Sequence, residues 1–223
     1  MFPFFDRHKD RLDYKAALNL IYDRSMPVLR GKVKILIADD EAFDIVDMLK
    51  ERKYDIYYKK DITYAIEAEP FDIVIIDIHG IASALGSAMG GFAVAEEIKK
   101  YYPAKQVWCY SGNVINDAVA SKINRINGYI AKDTDIDQWC EKLDQIIATY
   151  CSDDYQVEIL KNQLKLCGIS EQDISRVVNE YRANIEQKNF GSVIELLTSL
   201  VDNGKILIGL IKLIYSYVEH FTA

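Results

Sequence analysis

The sequence predicts an α/β domain on a doubly wound parallel sheet, preceded by a helical arm and followed by an all-α domain. Two observations predict the sheet. From Val33 onward, short β-branched runs alternate with segments of helical period. Five such βα units fall within roughly 120 residues, which suits five strands in the order 2-1-3-4-5. A third observation marks where the sheet domain ends. Ile136, Trp139, Cys140, Leu143, Ile146, Ile147 and Tyr150 recur at three- and four-residue steps, a stripe that should lie against the sheet.

The elements follow in order. Residues 1–31 form the arm, with a helical pattern from Leu12 to Tyr22 that puts Tyr14, Ala17, Leu18 and Ile21 on one face, to pack on the main domain or a second subunit. Residues 32–150 form the alternating domain. Its strands are expected at 33–38, 54–59, 72–77, 106–110 and 128–131, and its helices near 42–52, 62–69, 91–102, 114–125 and 135–150. Residues 151–223 form the tail, with helices at 154–166, 171–187, 190–201 and 204–221. Ser170-Glu171-Gln172-Asp173 has a capping-box pattern with Asp in the last place, and Cys167-Gly168 reads as a helix stop.

Composition narrows the function classes. The chain has 223 residues, half of them apolar, and a formal net charge of -7. Such a charge provides no general attraction to nucleic acid or anionic lipid. The tail itself holds seven Lys and Arg against ten Asp and Glu. DNA binding through its helix-turn-helix-like stretch (Leu166 to Ser170, then Ile174 to Arg176) is therefore disfavoured, because such contact needs a clustered positive face. The greasy Met1 to Phe5 is followed at once by Asp6, Arg7, Lys9 and Asp10, so no signal peptide is expected and the cytoplasm is the expected compartment. The last helix carries lysines within its apolar stretch, which reads as a bundle helix rather than a membrane span. Its wide apolar face calls for a homodimer or a docked protein. Cys109, Cys140, Cys151 and Cys167 show no close pair and are expected to be reduced thiols.

The polar residues at the strand ends carry the chemistry. The first strand ends at Asp39 and Asp40, the third at Asp77, the fourth at Ser111 and the fifth at Lys132. In a doubly wound sheet these positions share one edge, where ligands bind. Carboxylate oxygens can hold Mg²⁺, an aspartate is a competent nucleophile toward phosphorus, and a lysine with a hydroxyl can bind the oxygens of the product. Adjacent aspartates can also simply cap a helix, and Ser111-Gly112-Asn113 is ordinary turn chemistry.

Residues 33–149 resemble the receiver domain of two-component response regulators. The resemblance rests on Ile37-Ala38-Asp39-Asp40-Glu41, Phe71 to Asp77, Tyr110-Ser111-Gly112 and Gly128-Tyr129-Ile130-Ala131-Lys132. It implies Asp77 as phosphoacceptor, and Asp39, Asp40, Asp77 and the backbone carbonyl of His79 as Mg²⁺ ligands, directly or through water. It also implies Ser111 and Lys132 as phosphoryl-binding groups and Tyr129 as a switch aromatic. A histidine kinase or phosphotransfer protein would be the donor, and the tail would act through dimerisation or a downstream protein. Catalysis beyond self-catalysed phosphotransfer and dephosphorylation is not expected.

Three departures from the family pattern bear on function. Ile81 stands where the family usually has proline, and the Gly80–Gly90 loop is long and rich in Gly, Ala and Ser, so it is expected to be mobile and to gate the site. Lys132 is followed by Asp133 instead of proline; a cis bond there would cost about 3 kcal/mol. A trans peptide is expected, which leaves the aim of Lys132 open. The first two helices look short for a family-like kinase-docking face. The rival readings are a degenerate receiver acting as a constitutive interaction module and an aspartyl phosphohydrolase of the haloacid-dehalogenase kind. The second would need an acid where His79 stands.

Overall fold

Alternate residues of each strand are committed to opposite faces of one sheet, and both faces are covered. In the computed structural model, which describes residues 25–41, 43–82, 90–112, 121, 123–185, 187 and 189–219, Ile35, Ile37, Ile73, Ile75, Tyr110 and Ile130 line one face. Leu36, Ala38, Val74, Ile76, Val107 and Cys109 line the other. This two-residue period is inherent to a strand, and burial on both sides explains why the runs read as continuous apolar stretches.

The strands are β1 (Lys34–Ala38), β2 (Asp55–Lys59), β3 (Ile73–Asp77), β4 (Gln106–Ser111) and β5 (Gly128–Ala131). They are parallel and ordered β2-β1-β3-β4-β5, as the sequence predicts. The ladder runs past several strand ends: the Asp39 N–H donates to Lys59 O, Ile78 N–H to Tyr110 O and Lys132 N–H to Ser111 O, at 2.9–3.1 Å. The residues just beyond the strands are thereby held as firmly as the strands themselves.

On the first face lie α1 (Met26–Lys32), α2 (Ile45–Glu51) and α4 (Ile136–Tyr150), which contribute Leu29, Val46, Leu49, Trp139, Leu143, Ile146 and Ile147 to the core. On the second lies α3 (Gly90–Tyr101), with Phe92, Val94, Ala95 and Ile98. Helix α1 was not foreseen. Pro27 stands at its start, where proline is tolerated, and Arg30 pins it: Nε donates to Asp144 Oδ1 at 2.9 Å, and the guanidinium lies 4.6 Å from the ring centre of Tyr54. Tyr54 closes the triangle by donating its hydroxyl to Asp144 at 2.7 Å.

The helix expected at 62–69 is instead a 3₁₀ turn, Ala65–Ala68. The Glu67 carboxylate folds back on the N–H groups of Thr63 and Tyr64, and Pro70 blocks continuation. The helix expected from 42 begins only at Ile45, with Asp44 at its N-cap. The arm helix at 12–22, residues 83–89 of the 80–90 loop and most of the 114–125 helix lie outside the described residues.

The tail forms α5 (Asp153–Leu166), α6 (Glu171–Asn184), α7 (Gly191–Leu200) and α8 (Gly204–Glu219) around its own core, which includes Leu160, Val177, Tyr181, Phe190, Leu197 and Ile214. Ser152 and Ser170 cap their helices by accepting the N–H groups of Tyr155 and Asp173. Gly168, at φ +75°, ends α5, and the Ile169 N–H returns to Leu164 O. The four cysteines are free thiols. No helix of the described residues is long and apolar enough to cross a membrane.

Polar contacts join the tail to the underside of the sheet. Tyr150 donates to Asp72 at 3.0 Å and Gln156 to Tyr150 O at 2.9 Å. Lys99 of α3 reaches Pro103 O, Lys105 O and the Tyr155 hydroxyl of α5. Burial lowers the Lys99 pKa to about 8, whereas the unfolded chain holds that proton to about pH 10.4. The unfolded state therefore binds more protons than the folded state between these values, and stability rises with pH across that window. The buried tyrosines Tyr54 and Tyr150, with raised pKa values, act with the opposite sign above about pH 10, and Cys109, whose thiol burial raises far above its ordinary value, opposes the rise from about pH 8.5. Lys105, which burial also lowers, adds to the rise. Between about pH 7.5 and 9.5 the wild type should gain more stability in urea unfolding, or lose less, than Lys99→Met; equal changes would reject the assignment.

Candidate functional site

The carboxyl ends of β1, β3, β4 and β5 bring Asp39, Asp40, Asp77, Ser111 and Lys132 to one edge of the sheet. Oxygens from Asp39, Asp40 and Asp77 lie within 4.8 Å of one another. Asp39 has no solvent exposure, Asp77 is 6% exposed and Asp40 is open to solvent. Lys132 Nζ sits between the two buried acids, 2.8 Å from Asp39 Oδ2 and 3.0 Å from Asp77 Oδ2. Burial works against its charge, but the hydrogen bonds to Asp39 and Asp77 outweigh that and hold its pKa above the usual lysine value.

Each group is fixed by its neighbours. Asp39 Oδ1 accepts the Glu41 N–H at 2.9 Å, and Oδ2 accepts the Tyr110 hydroxyl at 2.7 Å. The Tyr58 hydroxyl lies 2.7 Å from the carbonyls of both Asp39 and Glu41, so that its single proton, donated to either, ties the β1 loop to β2. Asp77 Oδ1 accepts the His79 N–H at 3.3 Å. Ser111 is buried, and its carbonyl accepts the Tyr129 hydroxyl at 2.7 Å. Burial, reinforced by the bond to Asp39, pushes the Tyr110 phenol far above its ordinary pKa, so it remains a donor. Phe43 and Trp139 pack on its ring at 5.3 and 5.9 Å between centres.

Two glycines make room for this arrangement. Gly80 has φ +80°, and a Cβ there would fall 2.1 Å from Asp40 Oδ1. A Cβ on Gly91 would fall 1.8 Å from the Asp77 carbonyl, so only glycine lets α3 approach the end of β3 so closely. Three hard carboxylates and a single ammonium leave an excess of negative charge around a cradle that a methyl group would fill. That donor set fits a small divalent cation.

No family model and no curated protein sequence matches the chain. Among solved structures, the chain is similar to NtrX from Brucella abortus, at 24% identity over 52% of this chain and TM-score 0.45, and it spans only 27% of that protein. It is similar to the signal receiver domain of an HD domain-containing protein from Pseudomonas fluorescens, at 21% identity over 54% of this chain and 90% of that one, TM-score 0.44. A response regulator from Thermotoga maritima matches at 18% identity, 52% and 98% coverage and TM-score 0.43. The strand order and the helices on both faces decide the architecture. The alternating domain is receiver-like in fold.

Asp39, Asp40, Asp77, His79, Ser111 and Lys132 lie at or just beyond the strand ends of this edge, and Tyr129, inside β5, reaches it through its hydroxyl bond to the Ser111 carbonyl. Among the described residues no peptide is cis, yet Lys132 points at Asp77. Its backbone N–H continues the β4–β5 ladder to Ser111 O, which sets the start of its side chain without a proline. Sequence reasoning missed Tyr110, Tyr58 and Phe43. Tyr110 was legible only as the neighbour of Ser111, and strand alternation assigns it to the opposite face. Asp61 was also missed: its Oδ1 accepts the Ala82 N–H at 2.7 Å and anchors the segment that follows Asp77.

Gly80→Ala should displace the Asp40 carboxylate. In a Mg²⁺ titration read by tryptophan fluorescence, affinity is expected to fall about 10-fold or more; unchanged affinity would detach Asp40 from cation binding.

Proposed function

We propose that the chain is a response regulator of the two-component type, in which Asp77 accepts a phosphoryl group and the tail passes the change to a second copy or to another protein. The observation that carries this reading is the placement of Lys132 Nζ within 3.0 Å of Asp77 and 2.8 Å of its buried neighbour Asp39, beside the open Asp40. Two buried acids with a third beside them around one ammonium are costly to keep unless a cation joins them, and a module used only for binding has no need of them.

In this mechanism an oxygen of Asp77 attacks the phosphorus of a phosphohistidine or acyl phosphate, and the bond from phosphorus to the departing imidazole or carboxylate breaks. The His79 N–H and Lys132 orient the attacking carboxylate. Mg²⁺, held by Asp40 and Asp77 with Asp39 and the His79 carbonyl, would neutralise the incoming phosphoryl charge. Lys132 then pairs with the acyl phosphate and Ser111 bonds one of its oxygens. Tyr129, bonded to the Ser111 carbonyl, is placed to respond when Ser111 moves. A charge newly attached to Asp77 acts as a switch by biasing two packings of these loops.

A histidine kinase or phosphotransfer protein would supply the phosphoryl group. On α8, Ile208 and Tyr215 are 57% and 40% exposed and share one face of the helix, an apolar surface suited to self-association or to a downstream protein.

Intact mass after incubation with acetyl phosphate and Mg²⁺ should show a phosphoryl-sized gain in the wild type, none in Asp77→Asn and none with EDTA. No gain in a folded wild type, even with a cognate kinase, would favour a constitutive interaction module. If α8 mediates self-association, Ile208→Asp should convert a dimer to a monomer in light scattering without loss of phosphorylation; an unchanged mass would assign the surface elsewhere.

A further inference from the structure

The Tyr110 hydroxyl is aimed at Asp39 Oδ2, an oxygen that it shares with Lys132. The phenol lies at 2.7 Å and the ammonium at 2.8 Å. The ammonium is simultaneously 3.0 Å from Asp77 Oδ2, so one lysine serves two buried acids. The fully buried phenol ring packs in a cluster with Phe43 and Trp139, which holds its hydroxyl toward Asp39. We propose that Tyr110 is a positioning residue that keeps Asp39 in place when Lys132 transfers to an oxygen newly attached to Asp77. This rests on the reading of Asp77 as phosphoacceptor.

The physical reason is the cost of an orphaned buried carboxylate. A charged acceptor stripped of its donors in the interior loses far more than one that keeps a partner. If Lys132 were the sole donor on Oδ2, its departure would leave that buried oxygen without a donor, and the lysine would be held back. With Tyr110 in place, Asp39 retains the phenol on Oδ2 and the Glu41 N–H on Oδ1, and Lys132 is released. The phenol and the ammonium are thus alternative holders of one oxygen. Removing either should be tolerated, and removing both should not.

The test has two arms. Thermal melting in metal-free buffer compares the wild type, Tyr110→Phe, Lys132→Ala and the double variant. The double variant is expected to lose more than the sum of the two single losses; additive losses would overturn the shared-donor role. In the second arm, acetyl phosphate is added at saturating Mg²⁺. Tyr110→Phe should acquire the phosphoryl group roughly 10-fold more slowly, with its half-saturating Mg²⁺ concentration changed less than about threefold, since the loss falls on releasing the lysine. An unchanged rate, or a Mg²⁺ requirement raised in proportion to the lost rate, would overturn the proposal. A wild type that accepts no phosphoryl group would instead overturn the acceptor reading and the lysine transfer with it, whatever the melting data show.

Discussion

Asp39 carries its carboxylate with no access to solvent, and the groups that make this possible come from four separate parts of the chain. Its own loop supplies the Glu41 N–H, β4 supplies Tyr110, the end of β5 supplies Lys132, and β2 supplies the Tyr58 hydroxyl that secures the Asp39 carbonyl. Apart from the local Glu41 N–H, these donors reach Asp39 only when the strands stand in the order β2-β1-β3-β4-β5, which puts β1 beside β3 and β4 beyond it. The buried charge thus makes the sheet order and the site interdependent. A register slip of one residue would turn Asp39 and Asp77 to the wrong faces and strand their charges.

The same constraint accounts for the features around the site that break local rules. Gly80 adopts a backbone conformation that other residues avoid, because Asp40 occupies the space a side chain would need. Gly91 sits at the start of α3, where the helix meets the Asp77 carbonyl directly. Ala82 has φ +52° and is tied down by the Asp61 carboxylate. Strain of this sort persists where surrounding contacts over-determine the backbone. Here those contacts converge on the segment immediately after Asp77.

The tail and the sheet domain meet at the opposite edge from the acids. Tyr150, Gln156 and Tyr155 bond to Asp72, to the Tyr150 carbonyl and to Lys99 respectively, so the junction is polar and partly buried. Helix α3 spans the domain between the two ends, with Gly91 under Asp77 and Lys99 under the tail. The apolar surface of α8 belongs to a bundle whose core is already filled by Leu210 and Ile214 on its other side.

Much of this was legible in the chain itself. Strand positions, strand order and the acids and lysine at the strand ends follow from periodicity and from the rule that parallel strands deliver their last residues to one edge. The Ser152 and Ser170 starts and the Gly168 stop are likewise local chemistry. The 3₁₀ turn at Ala65–Ala68 and the helix at Met26–Lys32 were not legible, since the first depends on Glu67 folding back and the second on Asp144, more than a hundred residues away. Lys132 is aimed by a ladder bond to Ser111 rather than by a proline, and the place of Tyr110 beside Asp39 spans 71 residues of sequence. Sequence determines which groups arrive at the edge because strand period and burial are local properties. Which oxygen each donor takes is a matter of distances across the sheet, and only the folded chain decides that.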